Sequence, residues 1–253
     1  MTQMDEWVLR RAAAFATRWT SSGAPEGAGL PTVAVNMSPQ TLSRPGLALV
    51  VAEALEGAGA AGRRLLVEIT EHSLLDRDDS LRATLGALDR LGVAVGVDDF
   101  GTGWSSLAYL AALDLGFLKI DRSFVARLGE DDAALAVVRA IIELAHAHRL
   151  TCIAEGVETQ AQAVLLAGLG CDHGQGWWFG RPAAEDDLDA TVAAWHERSR
   201  TSGFGTRAEV AGGVPDLRLV HGIGRHGAGT GEAPDGAGRH GGRGLRAHRT
   251  PTR

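Results

Sequence analysis

Short apolar runs alternate with segments of helical periodicity between residue 33 and about residue 198. The apolar runs predict six strands, at 33–37, 65–70, 93–98, 117–121, 151–155 and 173–179. The amphipathic segments predict helices near 45–58, 77–91, 104–112, 131–148, 159–168 and 184–199. The clearest helix is 131–148, where Leu135, Val138 and Ile142 recur at the spacing of a core-facing stripe. Because strands that alternate with helices form βαβ units, the predicted fold class is α/β with a parallel sheet.

Polar residues stand at or near the carboxyl ends of nearly all the predicted strands: Asn36, Glu68, Asp98, Asp99, Lys119, Asp121, Glu155 and Gln175. An open doubly wound sheet concentrates its site at one switch point, whereas a barrel collects residues from many strand ends on one face. The pattern therefore favours a barrel of the triosephosphate isomerase type. Such a barrel closes with eight strands. Ahead of the six predicted here, the sequence offers only a helix at 7–19 and a Gly/Pro-rich loop at 21–31.

Each of these polar residues has an ordinary structural explanation when it is considered alone. Asn36 could be a turn residue, because asparagine is common in turns. The adjacent carboxylates of Asp98 and Asp99 could cap the following helix. Lys119 and Asp121 are two positions apart in a strand and point to the same side, so Asp121 could be the ion-pair partner that a buried lysine needs.

The combination predicts a metal site. One amide, about five carboxylates and one lysine on a single face offer the oxygen ligands that Mg²⁺ or Mn²⁺ prefers. Lys119 is the single lysine beside 24 arginines, and it lies within an apolar run. No Ser-His-Asp or Cys-His arrangement competes with this cluster in the sequence. Acid-rich sites that hold two metal ions typically hydrolyse phosphoesters, so this class of reaction is predicted here.

Charge and composition set the C-terminal stretch apart from the rest of the chain. Residues 201–253 hold 14 of the 34 glycines and 8 arginines against 4 acids. Their net charge of +4 leaves −10 on residues 1–200, because the total is −6. The stretch has no regular apolar period, and we predict that 199–253 is a disordered, solvated tail rather than a contact for RNA or anionic lipid.

The sequence also argues against secreted and membrane proteins. Two cysteines are too few for a disulfide framework, and no apolar run reaches the roughly 20 residues of a membrane span. We therefore expect a cytoplasmic protein with no membrane segment, and we expect no DNA partner.

The motifs, in their order along the chain, resemble those of the EAL domain family. They are Asn36-Met37-Ser38, Glu68-Ile69-Thr70-Glu71, Asp98-Asp99-Phe100-Gly101-Thr102-Gly103, Lys119-Ile120-Asp121, Ala154-Glu155-Gly156-Val157-Glu158 and Gln175-Gly176-Trp177. The resemblance runs from about Trp7 to Pro182. It implies a modified (β/α) barrel that hydrolyses the bacterial second messenger cyclic di-GMP to linear pGpG with two Mg²⁺ or Mn²⁺ ions.

The resemblance also implies a role for each matching residue. The implied metal ligands are Asn36, Glu68, Asp98, Asp99 and Glu155. Lys119 would orient or help to activate the attacking water, in a catalytic group with Glu155 and Asp99. The implied substrate and supporting residues are Asp121, Glu158 and Gln175. Glu71 would hold the loop at 98–106, which in this family links substrate binding to dimerisation. A homodimer, and an upstream sensory or GGDEF region in a longer parent protein, are further expectations.

One departure from the family pattern bears on activity. The family is named for a Glu-Ala-Leu motif on an early strand, and the resemblance implies that the Glu of this motif is a metal ligand. The triplet Glu53-Ala54-Leu55 has these letters, but it lies in the predicted helix 45–58. We expect the true motif and two further strands to precede Met1, so that 1–30 and 31–198 together form a partial EAL domain. Two functions stay open: a phosphodiesterase that needs upstream sequence, and a degenerate EAL module that binds cyclic di-GMP or a protein partner without turnover.

Overall fold

The computed structural model describes residues 3–18, 32–71, 79–103, 107–188, 190, 194 and 221–223. The helices are α1 (Gln3–Arg18), α2 (Pro39–Leu42), α3 (Leu47–Ala58), α4 (Asp79–Arg90), α5 (Leu107–Ala112), α6 (Arg122–Val125), α7 (Asp132–Ala147) and α8 (Gln160–Gly168). The strands are β1 (Val33–Asn36), β2 (Leu65–Thr70), β3 (Ala94–Phe100), β4 (Phe117–Ile120), β5 (Thr151–Ala154), β6 (His173–Gly174) and β7 (His221–Ile223). Short 3₁₀ turns occupy Gly62–Arg64 and Glu185–Asp187.

The strands form one curled parallel sheet in the order β6-β5-β4-β3-β2-β1-β7. From β1 to β6, each strand pairs in parallel with the next strand along the chain. Helices lie in every connection between these strands. The sheet is therefore a half-barrel, which confirms the predicted α/β class and barrel-type architecture.

The two faces of the sheet have different chemistry. Apolar side chains on the outer face join the helices in one large core: Val33, Val35, Leu65, Val67, Ile69, Val95, Val97, Leu118, Ile120, Cys152 and Ala154. On the inner face, Ala34, Phe117 and Ile153 form a separate small cluster. The Phe117 ring fills the space over Gly96, where an added Cβ would lie 2.2 Å from the ring. The inner-face polar residues follow these apolar positions toward the carboxyl ends of the strands.

Side-chain caps set the helix boundaries next to the site. Asp131 accepts a hydrogen bond from the backbone N–H of Ala133 and starts α7, in agreement with the predicted helix 131–148. Asp121 caps α6 in the same way through Ser123. Thr159 and Gln162 form a reciprocal capping box at the start of α8. The helices that follow β4 and β5 therefore begin at defined residues close to the strand ends.

Two predicted elements are shorter in the structure. The strand predicted at 173–179 ends at Gly174. Gly176 has a φ of +154°, and the backbone N–H of Trp178 donates to the carbonyl of Val157, so the chain turns away from the sheet. The predicted helix 184–199 is represented by the 3₁₀ turn at Glu185–Asp187, and most of its remaining length lies outside the described residues.

Other expectations fall largely on residues that the structure does not describe. The loop at 21–31 is one of these, as are positions 104–106 of the predicted helix 104–112. From the predicted tail, only His221–Ile223 is described, and it forms β7 beside β1. The sequence did not predict this strand, because three residues on a sheet edge carry no readable alternation. Within the described ranges, the helices are all too short or too polar to span a membrane.

Candidate active site

The strand register brings the predicted polar residues to one end of the inner face. Asn36 in β1 is paired with Glu68 in β2, and Thr70 in β2 is paired with Asp98 in β3. Glu155 follows directly after β5. Alternate residues of a strand share a face, so side chains two apart along each strand continue the inner face toward its carboxyl end.

Lys119 is the centre of this cluster. Its Nζ lies 3.0 Å from Oε1 of Glu68 and 3.1 Å from Oδ1 of Asp98, and it also contacts Oε1 of Glu155. Lys119 is only 2% exposed, and its partner Glu68 is 1% exposed. A buried ammonium of this kind requires charged partners, and here β2, β3 and the residue directly after β5 provide them.

The ion-pair partner that the sequence suggested for Lys119 is wrong. In the described structure the lysine pairs with carboxylates from the neighbouring strands rather than with Asp121. Oδ1 of Asp121 instead accepts a hydrogen bond of 2.9 Å from the backbone N–H of Ser123. The chain leaves β4 after Ile120, so the strand alternation that would align Asp121 with Lys119 no longer applies.

A change in backbone conformation brings Asp99 to the site. In a regular strand, Asp98 and Asp99 would point to opposite faces. Asp99 has a φ of 56°, in the left-handed region, and the register of β3 against β4 shifts between Val97 and Phe100. As a result, carboxylate oxygens of Asp98, Asp99 and Glu155 lie within 4.8 Å of one another. Backbone strain of this kind is typical of functional sites.

Burial is the main cause of the raised pKa values in this cluster. The pKa of Glu155 is raised to about 7, chiefly by burial; Lys119 opposes this shift, and the nearby Asp98 adds to it. Burial also raises the pKa of Glu68 and of Asp99. For Lys119, burial lowers the pKa, but the surrounding carboxylates outweigh this effect and raise it above its ordinary value.

The donor set fits divalent cations. The close acids outnumber the single ammonium: Glu68, Asp98, Asp99, Asp121 and Glu155. Glu68, Asp98 and Asp121 are buried, and such an excess of negative charge is costly there unless cations offset it. Hard carboxylate and amide oxygens are the ligands of Mg²⁺ and Mn²⁺.

Glu71 fixes the loop that follows β3. This residue comes directly after β2 and is 4% exposed. Its Oε2 accepts hydrogen bonds from the backbone N–H groups of Gly101, at 2.9 Å, and Gly103, at 3.2 Å. The contact that the resemblance implied is therefore present in the described part of the loop, 98–103. Residues 104–106, which include Trp104, lie outside the description.

Gln175 lies beside the loop that carries Glu155. Its backbone N–H donates to the carbonyl of Ala154 at 2.8 Å, and its carbonyl accepts from Val157 at 3.0 Å. The side-chain Oε1 of Gln175 is buried and has no hydrogen-bond partner among the described residues. A buried amide oxygen of this kind is suited to accept a hydrogen bond from a bound molecule.

Comparison with known proteins identifies the family. The sequence profile of the EAL domain matches residues 1–182. The chain belongs to the EAL domain family. The bifunctional diguanylate cyclase/cyclic di-GMP phosphodiesterase MucR of Pseudomonas aeruginosa is 38% identical over 193 residues, which cover 76% of this chain and 28% of MucR. The chain spans about a quarter of the length of the curated relatives it matches.

Solved EAL structures share the fold. The cyclic di-GMP complex of the MucR phosphodiesterase has a TM-score of 0.67 and 38% identity, and the match covers 74% of each chain. Klebsiella pneumoniae BlrP1, in a complex with manganese and cyclic di-GMP, has a TM-score of 0.64 and 27% identity over 72% of this chain and 45% of BlrP1. A divalent metal and the cyclic dinucleotide are thus both bound by relatives within this family.

Two further residues of this EAL domain are not among the described carboxylates that converge on Lys119. Glu53, in the triplet that has the family's letters, is on α3, with Oε2 at 3.7 Å from an Arg10 nitrogen. Its helical position agrees with the prediction. Glu158 is exposed on the loop after β5. The predicted homodimer, the upstream GGDEF region and the cytoplasmic location stay predictions.

Gln162 on α8 was not among the predicted site residues of this EAL domain. Its side chain binds two backbone N–H groups of the loop after Glu155 and the carbonyl of Val125. The Thr-x-x-Gln spacing from Thr159 is the sequence signal of a capping box, and it could have revealed the hydrogen bond from the backbone N–H of Thr159 to the Gln162 side chain. The contact with Val125 depends on how two helices pack, and the sequence holds no signal for it.

Proposed function

We propose that this chain is the EAL domain of a cyclic di-GMP phosphodiesterase, which hydrolyses the cyclic dinucleotide to linear pGpG with two Mg²⁺ or Mn²⁺ ions. The observation that carries the proposal is the convergence of Asp98, Asp99 and Glu155 around the buried Lys119. The likeness to MucR, whose structure contains cyclic di-GMP, supports this choice of substrate.

The candidate metal ligands are the oxygens of Asp98, Asp99 and Glu155, with Glu68 and Asn36 on the neighbouring strands. When bound, such ions activate water and offset charge on a phosphodiester. The bulge at Asp99 presents two consecutive carboxylates from one strand to the same space. Ligands from several rigid strands keep these carboxylates at fixed separations, which favours metal binding.

Lys119 has two tasks in this proposal. Its ammonium holds the carboxylates of Glu68, Asp98 and Glu155 in fixed orientations. A fixed positive charge in a buried site also stabilises negative charge that develops on a phosphate, and it orients the attacking water. The buried Oε1 of Gln175 would accept a hydrogen bond from substrate or water, and Asp121 and Glu158 would complete the surroundings.

A second candidate function is binding of cyclic di-GMP without turnover. The position of Glu53 favours it, because the only Glu-Ala-Leu triplet of the sequence lies on an outer helix, close to Arg10. The implied metal ligand from that motif is therefore not among the described site residues. Loss of one ligand would misplace an ion and reduce the rate by orders of magnitude.

The two candidates are separated by measuring binding and turnover on the same chain. Cyclic di-GMP is added with Mn²⁺, pGpG is followed by liquid chromatography, and binding is followed by calorimetry. We expect pGpG to form, and to stop when a chelator is added or when Asp98 is changed to Asn. Asp114→Asn, an exposed acid just ahead of β4, is the matched control and should retain the rate. Binding without pGpG would establish the second candidate, and turnover in chelator would refute the two-metal site.

A further inference from the structure

We propose that Gln162 is a positioning residue that holds the loop from Glu155 to Glu158 in the geometry the metal site needs. The metal part of this inference rests on the function proposed above. Gln162 lies on α8, three residues after the cap of that helix, and its side chain is partly buried.

The side-chain amide of Gln162 uses both of its polar atoms. Oε1 accepts hydrogen bonds from the backbone N–H groups of Glu158, at 2.9 Å, and Thr159, at 3.0 Å. Nε2 donates to the carbonyl of Val125 at 3.2 Å. One amide therefore links the end of the Glu155 loop to the last residue of α6.

The two halves of the loop are held by different parts of the protein. In the first half, the backbone N–H of Glu155 donates to Ile120 at 3.1 Å, and that of Val157 donates to Gln175 at 3.0 Å. The N–H groups of the second half, at Glu158 and Thr159, bind the Gln162 side chain instead. The neighbouring strands thus fix one half, and Gln162 fixes the other.

The hydrogen bonds of Gln162 reach two segments that carry acids of the cluster. Helix α6 begins at the cap residue Asp121 and ends at Val125, which receives the Gln162 hydrogen bond. Gln162 therefore connects the segment that carries Glu155 with the helix that Asp121 starts. Metal affinity depends on ligand positions to a fraction of an ångström, and residues that support a ligand typically change metal affinity by about 10-fold to 100-fold when they are replaced.

The experiment compares Gln162→Ala, Gln162→Glu and Thr159→Val in the full chain. Gln162→Ala removes all three side-chain hydrogen bonds. Gln162→Glu keeps the acceptor for both loop N–H groups. Thr159→Val, the matched control, removes only the hydroxyl that caps α8 and accepts from the backbone N–H of Gln162 at 3.2 Å. Circular dichroism checks that each variant folds.

The first readout is hydrogen exchange without metal. In Gln162→Ala, we expect faster exchange in peptides that cover 155–159 and 122–126, with peptides from β2 unchanged. The second readout is Mn²⁺ binding by calorimetry. In Gln162→Ala we expect the Mn²⁺ affinity to fall by about tenfold, which is the lower end of the range for residues that support a metal ligand. Gln162→Glu should recover slow exchange at 155–159 and most of the Mn²⁺ affinity, but not the exchange at 122–126, because a carboxylate cannot donate to the carbonyl of Val125. Thr159→Val should keep the Mn²⁺ affinity within about twofold of wild type.

Three results would overturn the inference: Gln162→Ala with wild-type exchange and Mn²⁺ affinity, Thr159→Val with the same loss as Gln162→Ala, or Gln162→Glu with no recovery. These results differ from a failure of the proposed function. A wild-type chain that binds Mn²⁺ but produces no pGpG would remove the phosphodiesterase activity and leave the role of Gln162 intact. A wild-type chain that binds no Mn²⁺ would overturn the metal part of both.

Discussion

Leu118 and Lys119 are consecutive residues of β4, and both are buried, at 0% and 2% exposure, yet they lie on opposite faces of one sheet. Leu118 packs in the large apolar core between the sheet and the helices. Lys119 extends into the acid cluster at the strand ends. Burial of Leu118 stabilises the fold by removing apolar surface from water, whereas burial of Lys119 carries a desolvation cost that its carboxylate partners offset. The same degree of burial therefore stabilises the fold at Leu118 and places a charge in the acid cluster at Lys119.

The largest expected effect is the loss of turnover in Lys119→Met. Methionine keeps most of the buried volume and removes only the ammonium, and the acids around it can take up protons to limit the loss of stability. We expect the rate of pGpG formation to fall by about 1,000-fold, or about 4 kcal/mol in the barrier, with an unchanged far-UV circular dichroism spectrum. A rate within about tenfold of wild type would show that the inner face does not depend on this charge.

The opposite result is expected for Leu118→Ala. The substitution leaves a cavity in the outer core and should lower the free energy of unfolding by about 3 kcal/mol. Urea denaturation measures this loss. Turnover per folded molecule, measured well below the melting temperature, should stay within about threefold of wild type, because the inner-face contacts are retained. If Leu118→Ala lost activity as Lys119→Met does, the separation of the two faces would be wrong.

A smaller effect concerns the pH dependence of stability without metal. Burial raises the folded-state pKa of Glu155 from 4.5 to about 7, so between these pH values the folded chain holds a proton that the unfolded chain has already released. The free energy of unfolding should therefore fall as the pH rises through this range. We expect a fall of about 2 kcal/mol between about pH 5 and pH 8, relative to Glu155→Gln measured in the same chelator buffer. If the free energy of unfolding changed equally with pH in wild type and in Glu155→Gln, the raised pKa of Glu155 would be wrong.

The smallest effect comes from a strained residue outside the site. Arg149 has a φ of 60° just after α7, close to the φ of 56° at Asp99. Glycine adopts this conformation without a Cβ penalty, so Arg149→Gly should raise the free energy of unfolding by up to about 1 kcal/mol, with turnover unchanged. Asp99→Gly relieves the same strain but removes a carboxylate, so it should lose Mn²⁺ affinity. Loss of affinity in Arg149→Gly would mean that the two strained positions are not independent.

Much of the fold and of the site followed from local patterns. The alternation of apolar runs and helical segments predicted strands β1 to β5 closely, because a strand buried between a helical layer and the barrel interior reads as a short continuous apolar run. The barrel interpretation, which collects strand ends on one face, predicted that Glu68 and Lys119 would lie together. The strand at 173–179 was too long, because the turn after Gly174 depends on a backbone contact with Val157, which is distant in sequence.

Local sequence patterns were enough to predict the order of the elements, the set of acids at the strand ends and the family to which the chain belongs. The pairing of Lys119 with Glu68, Asp98 and Glu155, rather than with Asp121, could be read only from the three-dimensional arrangement. Which charges meet across a parallel sheet depends on register and curvature, and these are set by the packing of the whole core. The end of β4 just before Asp121 and the left-handed Asp99 are likewise products of that packing, because a short polar motif does not specify its own backbone dihedral angles.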